Sequence, residues 1–224
     1  MSKEIIQLSD RIKIQLEKGL PGEAAQNKMI PKVRRSLQNI RRDRDAAVLI
    51  LLFPDNGKIK ISLIQRTKYE GEHSGQVSLP GGMKEDKDHD LLQTAIRETS
   101  EETGIPENEL KVIGKLTPLY IPVSAFMVHP FIGYMEETPI FSPDPVEVEF
   151  MINIPVIHLL KNKNKKKENW NLSGTDCEVP FYLFENYRIW GATAMILSEF
   201  IDLVAEIEPD QRILQYSDNG CNDT

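Results

Sequence analysis

The stretch Gly81 to Ile105, GGMKEDKDHDLLQTAIRETSEETGI, decides how the rest of the chain is read. Pro80-Gly81-Gly82 cannot sit inside a helix, so the stretch opens as a loop. Asp88 or Asp90 can cap a helix over about Leu91 to Thr103, and Gly104 stands where a helix ends. Leu91, Leu92, Ala95, Ile96 and Thr99 form its expected buried stripe. Glu98, Glu101 and Glu102 stand at i, i+3 and i+4, so they share one edge at the border between stripe and solvent. Like charges at that spacing repel and weaken a helix. The cost becomes understandable if divalent cations occupy the cluster. Oxygen-only carboxylate donors suit Mg²⁺ or Mn²⁺, which also take phosphate oxygens from a substrate. The plainer reading is a solvated acidic face.

The rest of the composition narrows the class. A chain of 224 residues fits one domain with additions, or two small ones. A net charge of -7 argues against a general nucleic-acid binder. Cys177 and Cys221 have no metal-type spacing and read as two reduced thiols. The start, MSKEII, lacks the apolar core of a signal peptide, and the longest apolar run, Ala46 to Phe53, is too short to span a bilayer. The expectation is a cytoplasmic protein without a membrane partner.

Working outward, residues 4–18 carry apolar residues at Ile5, Ile6, Leu8, Ile12 and Leu16, which predicts an amphipathic helix stopped by Gly19-Leu20-Pro21-Gly22. Residues 23–45, polar and basic around Pro31, read as a lead-in with some helix packed outside the main fold, and 1–45 together as an N-terminal helical lead-in. Ala46 to Phe53 and Lys58 to Ile64 flank an Asn56-Gly57 turn and predict a hairpin. Residues 68–78 read as a polar loop. Leu110 to Ile121, Phe126 to Met135, Val146 to Ile154 and Pro180 to Tyr187 read as strands, and Lys161 to Lys167 as a basic, solvated loop. A last helix runs from Gly191 to about Ile207, and the tail 217–224 reads as disordered. Trp190 reads as core, and His129 and His158 receive no role. Strands around one helix with a second helix late give an α+β fold, a helix–sheet–helix sandwich. The main domain spans 46–208, with a tail over 209–224.

With these residues in view, Gly82, Arg97, Glu98, Glu101, Glu102, Gly104 and Ile105 resemble the box of the Nudix hydrolase family in type and order. Three positions depart from its pattern. Asp88 stands for a Glu, Arg97 falls one residue late, and Thr99 replaces an apolar residue. The longer loop and Asp88 are similar to the coenzyme A diphosphatase branch. So is the upstream run Leu63-Ile64-Gln65-Arg66-Thr67, with Gly75 at its spacing and Leu79-Pro80-Gly81-Gly82 closing it. There Gly71 occupies the place of an Arg and Leu79 that of a Phe. Glu147-Val148, Ile154-Pro155-Val156 and Ile189 to Ala194 resemble further family segments.

The resemblance implies a mixed β-sheet between helices. It implies Glu98, Glu101, Glu102 and the Gly81 carbonyl as ligands to Mg²⁺ or Mn²⁺, with Arg97 holding Glu101. It implies cleavage of the diphosphate bridge of coenzyme A or acyl-coenzyme A to 3′,5′-ADP and a 4′-phosphopantetheine product. Glu98 or Glu147 would take the proton from water. Arg66, His73 and Gln76 are candidates for contact with the substrate. Two rivals stand beside this reading. Gly71 in place of Arg favours another nucleoside diphosphate compound, such as ADP-ribose. A non-catalytic binding module is the other, and the intact carboxylates argue against it. Homodimerisation through the N-terminal segment or the last helix is left open by the sequence.

Overall fold

A computed structural model describes residues 3–32, 44–67, 75–122, 124–172 and 174–216. Gly71, His73, Cys221 and the tail 217–224 lie outside the described residues. Helices α1 (Lys3–Lys18) and α2 (Gly22–Gln26) come first, then strands β1 (Arg44–Asp55), β2 (Lys58–Arg66), β3 (Val77–Ser78) and β4 (Gly81–Met83). Helix α3 (Leu91–Thr103) precedes β5 (Lys111–Lys115), β6 (Leu119–Ile121), β7 (Phe126–Tyr134) and β8 (Val148–Pro155). Then follow α4 (Val156–Leu160), β9 (Lys165–Leu172), β10 (Thr175–Phe184), β11 (Tyr187–Trp190) and α5 (Gly191–Ile207).

The expected hairpin forms between β1 and β2. Asn56 and Gly57 have φ of 47° and 69°, and two consecutive positive values match a type I′ turn. β1 also pairs in parallel with β7 and antiparallel with β4, which makes the eight-stranded sheet mixed. β1 is buried on both faces. Leu49, Leu51 and Phe53 pack with Ile105, Leu110 and Met135, on the side to which Ile96 of α3 contributes. Ile50 and Leu52 point the other way, into a core shared with α1 and α5. Period-2 alternation thus feeds two helical layers from one strand, the sandwich that the element order predicts.

Several expectations are corrected. The segment read as packed outside the main fold is not wholly so: Met29 joins the larger core, in which Ile5, Leu8 and Ile12 of α1 are fully buried. Beyond residue 208, Ile213 and Leu214 join the same core. The segment 110–121 is two strands, β5 and β6. Gly81-Gly82, expected in a loop, pairs with β1 as β4. Lys165 to Lys167 open β9 rather than a solvated loop, because pairing with β10 supplies backbone hydrogen bonds that the side chains do not advertise. A turn at 185–186 divides the expected strand 180–187 into β10 and β11. Trp190 is only half-buried, and it meets Trp170 edge-on at 5.3 Å in the three-stranded sheet β9–β10–β11. Among the described residues no helix is long and apolar enough to cross a membrane.

Because Ile12 is fully buried in the shared core, Ile12→Ala should lower unfolding free energy by about 2–5 kcal/mol in urea titrations. A change near zero would show that α1 contributes nothing to the fold.

Candidate functional site

α3 starts at Asp90, whose Oδ1 accepts from the Gln93 N–H at 2.9 Å, and ends at Gly104 with φ 75°. Asp90 is therefore the cap, which frees Asp88 for another role. α3 packs along β1 and β4 and brings Glu98 and Glu102 against the two glycines. The Gly81 N–H donates to Glu102 Oε2 at 2.8 Å. A methyl group on Gly82 would fall 2.3 Å from Glu98 Oε2, so the missing side chain is what makes room for that carboxylate. At Gly81 a methyl group would fall 2.3 Å from the Ala47 carbonyl, and φ is 146°, so only glycine fits there too.

The stripe is not the one expected. Ala95 and Thr99 are fully buried, but Leu91, Leu92 and Ile96 are only half-buried. Arg97 and Glu102 are buried with them. Thr99 tolerates an apolar position because its Oγ1 donates to the Ala95 carbonyl at 2.7 Å, which leaves its methyl to the core.

Arg97 holds more than the predicted pair with Glu101. Its Nη1 lies 2.8 Å from both Glu101 Oε2 and Glu98 Oε1. Its Nε and Nη2 donate to Asp88 Oδ1 and Oδ2 at 2.8 and 3.0 Å. Asp88 also accepts from the Glu85 N–H and the Thr94 hydroxyl, each at 2.9 Å. The Arg97 guanidinium, followed by these bonds, holds the Asp88 carboxyl well below the usual carboxylate range. Asp88 in turn raises Arg97, which stays charged. The sequence placed Asp88 as a capping candidate or a pattern position and missed this pairing.

Both inner carboxylates are raised above their ordinary range, with burial as the largest cause. Burial pushes Glu98 up, Arg97 pulls it down, and Glu101 and Glu147 push it up again. Burial pushes Glu102 up to about 7, against the Gly81 N–H and Arg66, with Glu98 and Glu147 adding to the rise. Arg66 Nη1 lies 3.0 Å from Glu102 Oε1, a contact not foreseen, and its buried Nε has no hydrogen-bond partner among the described residues.

The predicted residues thus converge in part. Arg66, Gly81, Arg97, Glu98, Glu101, Glu102 and Glu147 share one region. Gln76 joins through its carbonyl, which accepts from the Arg66 N–H at 3.1 Å. Glu147 is not on a strand: it is exposed in the turn before β8. His73 lies outside the described residues. His129 and His158 bond instead to Asp45 and the Leu183 carbonyl.

In this conformation no three His, Cys, Asp or Glu side chains among the described residues are gathered closely enough to hold a metal ion. Arg97, Arg66 and the Gly81 N–H occupy their oxygens. The donor chemistry nevertheless fits Mg²⁺ or Mn²⁺: three oxygen-donor carboxylates lie within two turns, two of them desolvated and repelling each other.

A family profile described as the NUDIX domain matches residues 43–172. The chain belongs to the Nudix hydrolase family. It is 35% identical over 175 residues to "Nudix hydrolase 22, chloroplastic" of Arabidopsis thaliana, covering 75% of this chain and 58% of that one. It is 33% identical over 167 residues to the human "Mitochondrial coenzyme A diphosphatase NUDT8", covering 73% and 71%. To the "Uncharacterized Nudix hydrolase NudL" of Photorhabdus laumondii it is 30% identical over 162 residues, covering 72% and 86%. The chain spans less than two thirds of the plant relative's length.

Two outcomes follow from the charges. Asp88→Asn leaves the buried Arg97 facing a neutral amide and should cost about 3–5 kcal/mol of stability, measured by urea unfolding. Glu102 has a folded pKa above its ordinary 4.5, so its protonated form is favoured by folding. Stability from this group is present below about pH 4.5 and lost as pH rises towards 7. With chelator present, Glu102→Gln should flatten the fall in melting temperature over that range. An unchanged slope would show that Glu102 titrates normally.

Proposed function

We propose that this chain hydrolyses the diphosphate bridge of coenzyme A or acyl-coenzyme A, with Mg²⁺ or Mn²⁺, to 3′,5′-ADP and 4′-phosphopantetheine or its acyl derivative. The observation that carries the reaction class is the pair Glu98 and Glu102. They stand one helical turn apart against Gly82 and Gly81, desolvated and mutually repelling. Support for the substrate comes from the upstream run Leu63 to Gly82 and from the name of the human relative.

Glu98, Glu101, Glu102 and the Gly81 carbonyl would hold the cation. When bound it neutralises the charge of the diphosphate and makes a water easier to deprotonate. Arg97 keeps Glu98 and Glu101 in place while Asp88 fixes Arg97 from behind. Arg66 sits on Glu102 and presents a cation to a phosphate oxygen, with His73 and Gln76 as further contacts. Water oxygen bonds to one phosphorus as the bridging P–O bond breaks, and the bridge oxygen leaves on the other phosphate. The water proton goes to a carboxylate, Glu98 or Glu147. Glu147 is exposed and is the freer base, whereas a base that also binds a cation is weakened.

Gly71 in place of an Arg supports a second reading, a related nucleoside diphosphate compound such as ADP-ribose. Product analysis with coenzyme A, acyl-coenzyme A, ADP-ribose and NADH separates the two. Coenzyme A should be split to 3′,5′-ADP; much faster turnover of ADP-ribose would overturn the substrate. Glu102→Gln and Gly82→Ala, the latter displacing Glu98, should each lower kcat/KM by about 100-fold. Full activity in Glu102→Gln would remove it from the site.

A further inference from the structure

Glu147 reaches the carboxylate cluster from an exposed turn, so something must fix that turn. The turn is closed internally by Asp144. Asp144 Oδ1 accepts from the Val146 N–H at 2.8 Å, and its carbonyl accepts from the Glu147 and Val148 N–H groups at 3.2 and 2.8 Å. These bonds shape the turn but do not attach it to the site. The β2–β8 ladder, with Arg66 opposite Val148, brings the turn to the site, and Thr67, the residue after Arg66, extends that attachment beyond the ladder. The Thr67 N–H donates to the Glu147 carbonyl at 3.0 Å, and its hydroxyl donates to the Val146 carbonyl at 2.8 Å. On its other side the Thr67 carbonyl accepts from the Gly75 N–H at 3.2 Å, next to Gln76, which is bonded to Arg66. Thr67 therefore ties two loops to the end of the strand whose Arg66 grips Glu102.

We propose that Thr67 is a positioning residue: its hydroxyl locks the Glu147 turn to the Arg66 strand and so sets where the Glu147 carboxylate stands beside Glu98 and Glu102. This rests on the functional reading above. The β2–β8 ladder, with Arg66 opposite Val148, and the Thr67 N–H hold the turn at Glu147 and on its C-terminal side, and the hydroxyl adds a hold on the N-terminal side, at Val146. Serine keeps that hold, and valine keeps the shape without it. The effect on catalysis passes through Glu147, so Thr67 adds nothing once Glu147 can no longer act.

The test compares Thr67→Val, Thr67→Ser and Glu147→Gln, alone and combined. In the metal-free protein, amide hydrogen exchange at residue 67 should be faster in Thr67→Val and close to wild type in Thr67→Ser. At saturating Mg²⁺, Thr67→Val should lower kcat by about five- to tenfold with KM within about twofold, and Thr67→Ser should restore it. In the Glu147→Gln background, Thr67→Val should have no further effect. Wild-type exchange and kcat in Thr67→Val would overturn the proposal, as would penalties that simply multiply in the double variant. If wild type splits no diphosphate substrate, the functional reading fails instead, and the exchange comparison still decides whether the hydroxyl holds the turn.

Discussion

Arg97 is buried to 8% exposure between Asp88 on one side and Glu98 and Glu101 on the other. A buried cation survives only when its donors are matched, and this one is matched by carboxylates from a loop and from its own helix. Asp88 is the partner that has no other calling: it is fully enclosed, ionised and bonded in addition to Glu85 and Thr94. The loop that precedes α3 is thereby fastened to the middle of α3. Without that fastening, Arg97 would be drawn wholly onto the glutamates, and their spacing against Gly81 and Gly82 would be lost.

Around this ion pair the fold places opposite demands on neighbouring positions. Asp88 is stabilised as an anion, whereas Glu102, in the last turn of α3, is pushed towards its neutral form by burial. The difference lies in what each faces: a bidentate guanidinium in the first case; in the second, one guanidinium nitrogen, one amide and two further carboxylates. Arg97 reaches back from α3 to the loop for the first environment, and the last turn of the same helix carries the second. The antiparallel pairing of β4 with β1, Gly82 opposite Ala47 and Gly81 opposite Val48, sets the glycine-bearing strand beside it.

Much of this was legible in the chain. Asn56-Gly57 demanded a turn with positive φ, and the ends of α3 and α5 were marked by Asp90, Gly104 and Trp190-Gly191. The glutamate spacing marked the carboxylate cluster, and Arg66 meets it from a distant part of the sequence. What was not legible has a common cause: sequence patterns show that a face needs a partner but not which one. The stripe of α1 predicted burial and not a seat in the main core. Lys165 to Lys167 have no strand-like alternation of apolar residues, and only β10 beside them makes them a strand. Asp88 could cap or pair, and the choice depended on a loop geometry that no spacing encodes.

The small sheet also has an optical consequence. The chain's two tryptophans, Trp170 and Trp190, sit together in it, 5.3 Å apart, and Trp170 stacks on Phe181. The same sheet sends Tyr182 and Ile189 into the larger core. Intrinsic tryptophan emission is therefore a local gauge of how that sheet is seated, and indole–indole contact makes its intensity sensitive to small shifts there. Light emitted by this protein reports from β9 and β11, not from the glutamates of α3.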